Sequence, residues 1–411
     1  MSQTSGLQFF RKYPNVLVVC TGTFMSMIGF GMIFPFFPLY AERFGATPSQ
    51  IGMIASMFAL TRTALATPFG ALSDRYGRKR LMMAGFLLYS VAMSLFAFAQ
   101  SVNHLFVFRG LQGVASAMVW PSAQAVIADS TEHADRGRAM AYFSASWTMS
   151  MIIGPAFGGF IANFYGYEAP FLVAGGIMIP ITVLIYLYVA ETIKSKVSIL
   201  TVREPVVRRL RSSFREIRES NYFLTLLGLM VAAFITTFGL TLIEPLLSIY
   251  AQEKVNATLA EISLAFTLMG VSGFLVRVVG SGISDRVGRR KPILFGNVWA
   301  SLLTFPLSII RTPAEMIGIL SARSAGWGFS DPATQALLAD IVDENKRGKI
   351  FGLFGSVSGV AMIAGPTVGG IVYELYGGEV SFTLCGASTL IASTVLFFMI
   401  KEPSQQYGEP S

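Results

Sequence analysis

The sequence predicts an all-α integral membrane protein whose twelve transmembrane helices form two pseudo-symmetric six-helix bundles. Three observations support this fold class. The 411 residues are 53% hydrophobic and 13% charged, whereas a soluble domain has about 25% charged residues. The apolar residues fall in separate blocks of about 20, the length that crosses the hydrocarbon core of a bilayer. The second half of the sequence also repeats the first at an offset of 211 residues.

Each apolar block predicts one transmembrane helix. Proline residues such as Pro35 and Pro245 lie inside blocks, where they kink a membrane helix rather than end it. We predict an N-terminal six-helix bundle over residues 1–190, a linker over 191–221 and a C-terminal six-helix bundle over 222–411. The predicted helices span residues 14–40, 50–72, 81–100, 104–128, 138–164, 169–190, 222–250, 260–283, 292–311, 314–339, 350–376 and 380–400.

The basic residues of the loops predict the orientation of the helices. They concentrate on one side, in segments such as Arg75–Arg80 and Arg286–Lys291, whereas the other side has Arg43, Lys254 and Arg311. Because positively charged loops stay in the cytoplasm, we expect a multi-pass protein of the cell membrane with both termini in the cytoplasm. This distribution also explains the formal charge of +8 without a nucleic-acid partner.

The segment 191–221 is the longest polar stretch, and in it arginines are interleaved with Val, Leu and Phe. One interpretation is a cytoplasmic linker that is partly an amphipathic helix lying on anionic lipid. The other is a solvated linker. On the first interpretation, membrane lipids are a partner of the protein.

The internal repeat consists of separated groups of matches at one offset. It implies two halves of the same topology, related by an axis along the membrane normal. A substrate site is then expected between the halves, near the midplane. The matches include Asp74 with Asp285, Gly77 with Gly288, Pro121 with Pro332, Asp129 with Asp340, Gly137 with Gly348, and Gly154 with Gly365.

The loop Gly70–Lys79 resembles, at every defined position, the signature of the major facilitator superfamily between its second and third helices. A second copy begins at Ser281, which replaces the first glycine of that signature. The resemblance extends over essentially the whole chain. It implies a transporter that moves a small solute by alternating access.

The resemblance also implies a cytoplasmic latch, meaning a group of charged residues that holds the outward-open state. Asp74, Arg78 and Asp129 would form it, because an aspartate at a helix end can pair with a nearby arginine and with backbone donors. The alternative is that these basic residues only set the orientation. With the second copy included, the candidate latch residues are Gly70, Asp74, Arg75, Gly77, Arg78, Asp129, Asp285, Arg286, Gly288 and Arg289.

A Gly-Pro motif in the fifth predicted helix resembles the antiporter motif of the drug:proton antiporter branch. Ser150 stands where the branch has an upstream glycine, and the motif recurs in the eleventh helix, which weakens its link to antiport. Small residues beside a proline predict a kinked, close-packed hinge, with plain helix packing as the alternative. The hinge candidates are Gly154, Pro155, Gly158, Gly159, Gly365, Pro366, Gly369 and Gly370.

Ionisable residues inside membrane spans are costly unless they are paired or hydrated, so they mark functional sites. Six of them fall on predicted helices that line the cavity of the family: Arg62, Arg109, Glu244, Arg277, Arg323 and Asp331. Glu244 and Asp331 are candidate proton carriers, with Arg109 and Arg323 as the nearby basic groups that favour their charged forms. The alternative is a fixed ion pair, such as Glu244 with Arg323.

Aromatic and polar residues on the same helices complete the predicted cavity and suit an amphiphilic substrate. The cavity candidates are Arg62, Arg277, Phe34, Trp120, Gln124, Trp147, Phe238, Trp327 and Gln335.

The leading hypothesis is proton-coupled efflux of amphiphilic small molecules or drugs. The alternative is proton-coupled or exchange transport of an organic anion or a lipid-like metabolite, which four arginines against two acids in the cavity favour. A membrane enzyme is not supported, because we find no catalytic, metal-ligand or phosphate-loop pattern. We expect a monomer without cofactor or metal, whose partners are a small-molecule substrate and protons.

Overall fold

The computed structural model describes residues 6–193, 217–218, 220, 222–343 and 346–402. Within these ranges the regular structure is helical, which confirms the all-α fold class. Two compact units form: unit 1 is Met1–Thr201 with Thr258–Thr267, and unit 2 is Val202–Ala257 with Leu268–Ser411. The amphipathic helix predicted within the linker 191–221 lies almost entirely outside the described residues.

Unit 1 is an assembly of long helices. Its strongest packing pairs join α2 with α7, α4 with α6, and α5 with both α6 and α8. The helices are α1 (Gly6–Lys12), α2 (Pro14–Ile33), α3 (Phe37–Glu42), α4 (Pro48–Tyr76), α5 (Arg78–Phe96), α6 (Val102–Ser130), α7 (His133–Tyr165) and α8 (Glu168–Tyr188).

Unit 2 follows the same plan. Here α9 packs against α14 and α15, and α12 packs against α13 and α15. Its α-helices are α9 (Phe223–Ile243), α10 (Leu247–Val255), α11 (Leu259–Val287), α12 (Arg290–Leu302), α13 (Pro313–Ile341), α14 (Arg347–Tyr376) and α15 (Gly378–Met399). The first residues of α11, up to Thr267, belong to unit 1.

Prolines divide the first predicted helix of each half. The predicted helix 14–40 is α2 and α3, separated at residues 34–36, and Pro35 lies in that separation. The predicted helix 222–250 is α9 and α10, separated by a 3₁₀ turn that includes Pro245. A proline has no N–H to donate and its ring clashes with the preceding turn, so the α-helical pattern is interrupted there.

Threonine side chains cap the starts of α4, α11 and α13, through Thr47, Thr258 and Thr312. The Thr47 hydroxyl accepts from the Gln50 N–H while the Gln50 side chain accepts from the Thr47 N–H, which is a capping box. The Thr312 hydroxyl caps α13 by accepting from the Glu315 N–H at 3.2 Å. Such caps satisfy N–H groups that have no partner inside the helix, and they explain why these helices start at the edge of their apolar blocks.

Nine helical segments within the described ranges are long and apolar enough to cross a membrane. Three other predicted spans correspond to α4, α6 and α13, each 29 residues long. That length is sufficient to cross a bilayer, but these helices are richer in polar residues. They contain four of the six ionisable residues that the sequence marks as functional: Arg62, Arg109, Arg323 and Asp331.

Candidate functional site

Arg78 is the centre of the charged cluster that forms the candidate latch of unit 1. Its guanidinium donates to Asp74 at 3.3 Å and to the backbone carbonyl of Ala125 at 2.8 Å, and it forms an ion pair with Asp129. These partners lie near the ends of α4 and α6, while Arg78 begins α5. Charge-assisted hydrogen bonds of this kind are about twice as strong as neutral ones. One side chain therefore holds three helix ends together.

The turn between α4 and α5 depends on Gly77, whose φ is 110°. An L side chain rarely adopts that conformation. A Cβ at this position would also overlap the Glu191 carboxylate. Gly70, in contrast, lies within α4, where an added Cβ would have an ordinary contact with Pro121 at 3.9 Å.

Glu191 belongs to this cluster and sequence reasoning missed it. Its carboxylate accepts the backbone N–H of Arg78 at 2.9 Å and that of Thr192 at 3.1 Å. The Arg78 N–H is in the first turn of α5, where it has no partner inside the helix. Glu191 therefore caps α5 from a position just beyond the end of α8.

The latch of unit 2 repeats this geometry. Arg289 donates to Asp340 at 3.2 Å and to Ser284 at 3.0 Å, and it forms an ion pair with Asp285. The Arg290 N–H donates to Glu402 at 2.6 Å, and Gly288 has φ 89°.

The repeat offset relates these residues one by one to those of unit 1. Glu402 stands at the position equivalent to Glu191, so identification of either glutamate would have indicated the other.

Two candidate latch residues do not join the clusters. Arg75 extends over the ring of Tyr76, with 5.1 Å between its guanidinium carbon and the ring centroid. Arg286 is exposed at the end of α11.

The hinge candidates are buried in both units. A Cβ at Gly154 would overlap the backbone of Gly31, and one at Gly158 would overlap the backbone carbonyl of Met32. The backbone of α7 therefore packs directly on that of α2. Gly365 and Gly369 bring α14 equally close to α9.

Gly158→Ala should destabilise the protein, because its methyl group would have to displace the α2 backbone. We expect a cost of about 1–3 kcal/mol, typical of overpacking in a tight core. Gly176→Ala in α8 is the matched control, since no atom lies within 4 Å of its Cβ position. Thermal unfolding in detergent should show a lower midpoint for Gly158→Ala alone, and equal midpoints for the two variants would contradict this packing.

Unit 2 contains a cavity of about 400 Å³. Arg277 and Asp331 line it and form an ion pair at 2.7 Å, with side chains 43% and 46% exposed. Trp327 and Gln335, which the sequence also marked as cavity residues, lie in the same wall. The cavity therefore brings together four predicted residues of unit 2.

The remaining polar wall residues of this cavity were missed. They include Thr236 and Thr237 on α9, Thr334 on α13 and Asn297 on α12. No motif marks them, and only their polarity inside apolar helices could have drawn attention to them. The indole Nε1 of Trp327 is buried and has no hydrogen-bond partner among the described residues.

Arg323 and Glu244 do not form the suggested ion pair. Arg323 is 4% exposed, donates to Thr304 at 2.8 Å and contacts the Cys385 sulfur at 3.7 Å. Glu244 is exposed in the 3₁₀ turn after α9. Of the two candidate proton carriers, Asp331 forms an ion pair, because α13 directs it towards Arg277 on α11.

Arg109 lies in the interior of unit 1. It is 6% exposed, donates to Gln112 at 2.5 Å, and its guanidinium carbon lies 4.2 Å from the ring centroid of Phe37. Gln112 in turn donates to the Tyr89 hydroxyl at 3.0 Å. Arg109, Gln112 and Tyr89 therefore form a buried polar network between α6 and α5.

The other cavity candidates of unit 1 do not gather around one cavity. Arg62 lies over Trp120, with 5.6 Å between its guanidinium carbon and the ring centroid. Phe34 contacts Phe30 at 5.8 Å between centroids, whereas Gln124 and Trp147 are exposed. Phe238 of unit 2 stacks on Phe234, with centroids 6.1 Å apart.

Comparison with curated proteins identifies relatives over most of the chain. Multidrug resistance protein 1 of Bacillus subtilis is 26% identical over 376 residues, which cover 89% of this chain and 91% of that protein. Multidrug resistance protein MdtG of Serratia proteamaculans is 28% identical over 377 residues, which cover 90% of this chain and 89% of that protein.

Solved structures share the fold. The nucleoside transporter NupG has a TM-score of 0.78 at 11% identity, over 94% of this chain and 100% of that chain. The human organic anion transporter MFSD10 has a TM-score of 0.68 at 19% identity, over 94% of this chain and 99% of that chain.

The repeated loop motif, the two six-helix halves and the latch clusters agree with one family. The family model of the Major Facilitator Superfamily matches residues 19–240 and 229–411. This chain therefore belongs to the Major Facilitator Superfamily and is a multi-pass secondary transporter of a small molecule, not an enzyme.

Proposed function

We propose that this transporter exports amphiphilic small molecules from the cytoplasm in exchange for protons. The observation that supports it most directly is the cavity of unit 2, in which a half-exposed carboxylate and guanidinium are paired. A proton that binds Asp331 neutralises the carboxylate and removes its attraction for Arg277. Proton binding would thereby change the charge and shape of the surface that a substrate meets.

The walls of this cavity suit an amphiphilic compound. Leu229, Leu240 and Phe354 offer apolar surface, while the side chains of Thr237 and Gln335 offer hydrogen bonds. Small-molecule sites typically combine a mostly apolar lining with a few polar groups that fix orientation. The buried indole N–H of Trp327 is a further donor for an acceptor on the substrate.

The curated relatives support the same class of substrate. Those named above are called multidrug resistance proteins, and a Lactococcus lactis relative, 26% identical over 404 residues, is called a multi-drug resistance efflux pump homolog. The basic loops support an orientation with both termini in the cytoplasm. Outward transport from that side then requires a proton gradient directed inwards.

The test uses everted vesicles that contain the protein and are acidic inside. We expect a lipophilic dye to accumulate, and a protonophore to abolish the accumulation. Protein-free vesicles serve as the control for passive partitioning. Accumulation that survives the protonophore would contradict proton coupling, and no accumulation of any cationic or neutral dye would contradict drug export.

A second candidate is transport of an organic anion. The observation that favours it is Arg277, a cation on the wall of the cavity that could bind a carboxylate in place of Asp331. Arg109 and Arg323 are less suitable for this task, because both are buried and already donate to neighbouring side chains. Uptake of a labelled aromatic carboxylate that is lost in Arg277→Gln would favour this candidate.

A further inference from the structure

A second cavity, of about 440 Å³, lies at one end of unit 1. It is formed where α4 passes into α5 and where α8 ends. Three basic residues line it, Arg75, Lys79 and Arg80, together with the aromatic rings of Tyr76 and Tyr186. Neither the latch of unit 1 nor the cavity of unit 2 uses the side chains of Lys79 and Arg80.

The charge of this cavity is positive. Within the described residues, no carboxylate lies within 4.0 Å of the side-chain nitrogens of Arg75, Lys79 or Arg80. Lys79 donates instead to the backbone carbonyl of Tyr186 at 2.7 Å. Glu191 also lines the cavity, but one of its oxygens already accepts the N–H groups of Arg78 and Thr192. Three cations against one engaged carboxylate favour an anionic ligand.

The cavity lies at the end of two candidate membrane spans. Of the nine, one begins at Arg78 and another ends at Tyr188, so the basic residues stand where the hydrocarbon gives way to the headgroups. Tyr76 and Tyr186 are 54% and 62% exposed. Exposed tyrosines are typical of this level of a membrane protein, where their rings meet the headgroup region.

Apolar faces continue from the cavity along both helices. On α5, Leu87 and Val91 are exposed and follow the wall residue Met83 at intervals of one turn. On α8, Val183 and Ile179 are exposed on the face of Tyr186. Met83 and Tyr186 line the same cavity and α5 packs against α8, so both apolar faces begin beside the basic residues.

We propose that this cavity binds the phosphate group of an anionic phospholipid, whose acyl chains lie on the apolar faces of α5 and α8. Basic pockets between membrane helices bind such headgroups. The apolar faces favour a lipid over a soluble phosphate compound, because a soluble compound has no acyl chains to pack on them.

Unit 2 supplies a matched control. Arg286, Arg290 and Lys291 occupy the equivalent positions in its loop, but Val287 and Phe397 replace the two tyrosines. Arg290 donates to the Phe397 carbonyl at 2.7 Å, as Lys79 does to Tyr186. The control region therefore has the same basic charge without the two hydroxyl groups.

The experiment measures binding of phosphatidylglycerol and phosphatidylcholine to the purified full chain by native mass spectrometry in detergent. We expect phosphatidylglycerol to bind more tightly. The double variant Arg75→Gln with Arg80→Gln should weaken its binding on the order of tenfold, as expected for the loss of two surface cations. The double variant Arg286→Gln with Lys291→Gln should change it less than about threefold.

Three results would overturn the proposal. Equal losses in the two double variants would mean general attraction to basic helix ends. Equal binding of the two lipids by the wild type would exclude an anionic headgroup site. Displacement of phosphatidylglycerol by millimolar inorganic phosphate would indicate a soluble phosphate ligand instead. Thermal unfolding of each variant separates lost binding from lost folding, and the single variants Arg75→Gln and Arg80→Gln replace a double variant that fails to fold.

Discussion

Asp331→Asn is expected to abolish uphill export while the same compound still moves down its own gradient. The substitution keeps the size of the side chain but removes the charge that a proton would neutralise. Arg277 would then face a neutral partner in both halves of the transport cycle, so proton binding could no longer alter the cavity. In acidic-inside everted vesicles, dye accumulation should fall to the level seen without a gradient, whereas dye exchange at equal pH should persist.

Glu244→Gln is the informative comparison, because it removes the carboxylate of the other candidate proton carrier. Glu244 is exposed at the 3₁₀ turn and does not line the cavity of Asp331. We therefore expect it to affect uphill export less than Asp331→Asn does. If Glu244→Gln lost accumulation and Asp331→Asn kept it, the proton-coupling site would be at the 3₁₀ turn that contains Glu244. Full accumulation in both variants would refute proton coupling through either residue.

Arg78→Gln is expected to have the largest effect on the latch of unit 1. It removes the contacts of one guanidinium with Asp74, Asp129 and the Ala125 carbonyl. It also leaves two aspartates without their shared cation. Because the arginine side chain is only 17% exposed, we expect a loss of about 1.5–3 kcal/mol, the range for hydrogen bonds to charged groups. Thermal unfolding in detergent and the initial rate of dye transport would both measure it.

Arg75→Gln makes the same change of charge three residues earlier. Arg75 contacts only the ring of Tyr76 among the interactions described for it, so its effect on stability should stay within about 0.5 kcal/mol. If the two variants had equal unfolding midpoints, the contacts of Arg78 would contribute nothing beyond surface charge. Restored stability in Arg78→Lys would point to charge rather than to the fork of hydrogen bonds as the stabilising property.

The contacts within the two candidate latches could be predicted because their main residues are close together in the sequence. Asp74 and Arg78 are four residues apart across a single turn, and the second copy repeats them. Glu191 is 113 residues from the N–H group that it caps, so no local pattern indicates the contact. The repeat alone relates it to Glu402, and only once one of the two has been identified.

The partner of Asp331 could not be predicted. The sequence marks Arg277, Arg323 and Asp331 as buried charges, but pairing depends on how each helix is rotated about its axis. Arg323 and Asp331 lie on one helix, while Arg277 is 54 residues from Asp331. Periodicity gives no rotation for helices that are apolar on most faces.

The placement of Glu191 and Glu402 has a consequence for biosynthesis. In each unit the glutamate that caps the third long helix lies beyond the last long helix, so it leaves the ribosome after nearly all of the unit has been made. Domains fold as units while synthesis proceeds from the N-terminus. The turn at Gly77 must therefore stay uncapped while four further helices are inserted, and a nascent chain that stops at Tyr188 could not close it. Each half thus supplies, from its own last residues, the carboxylate that caps its own helix.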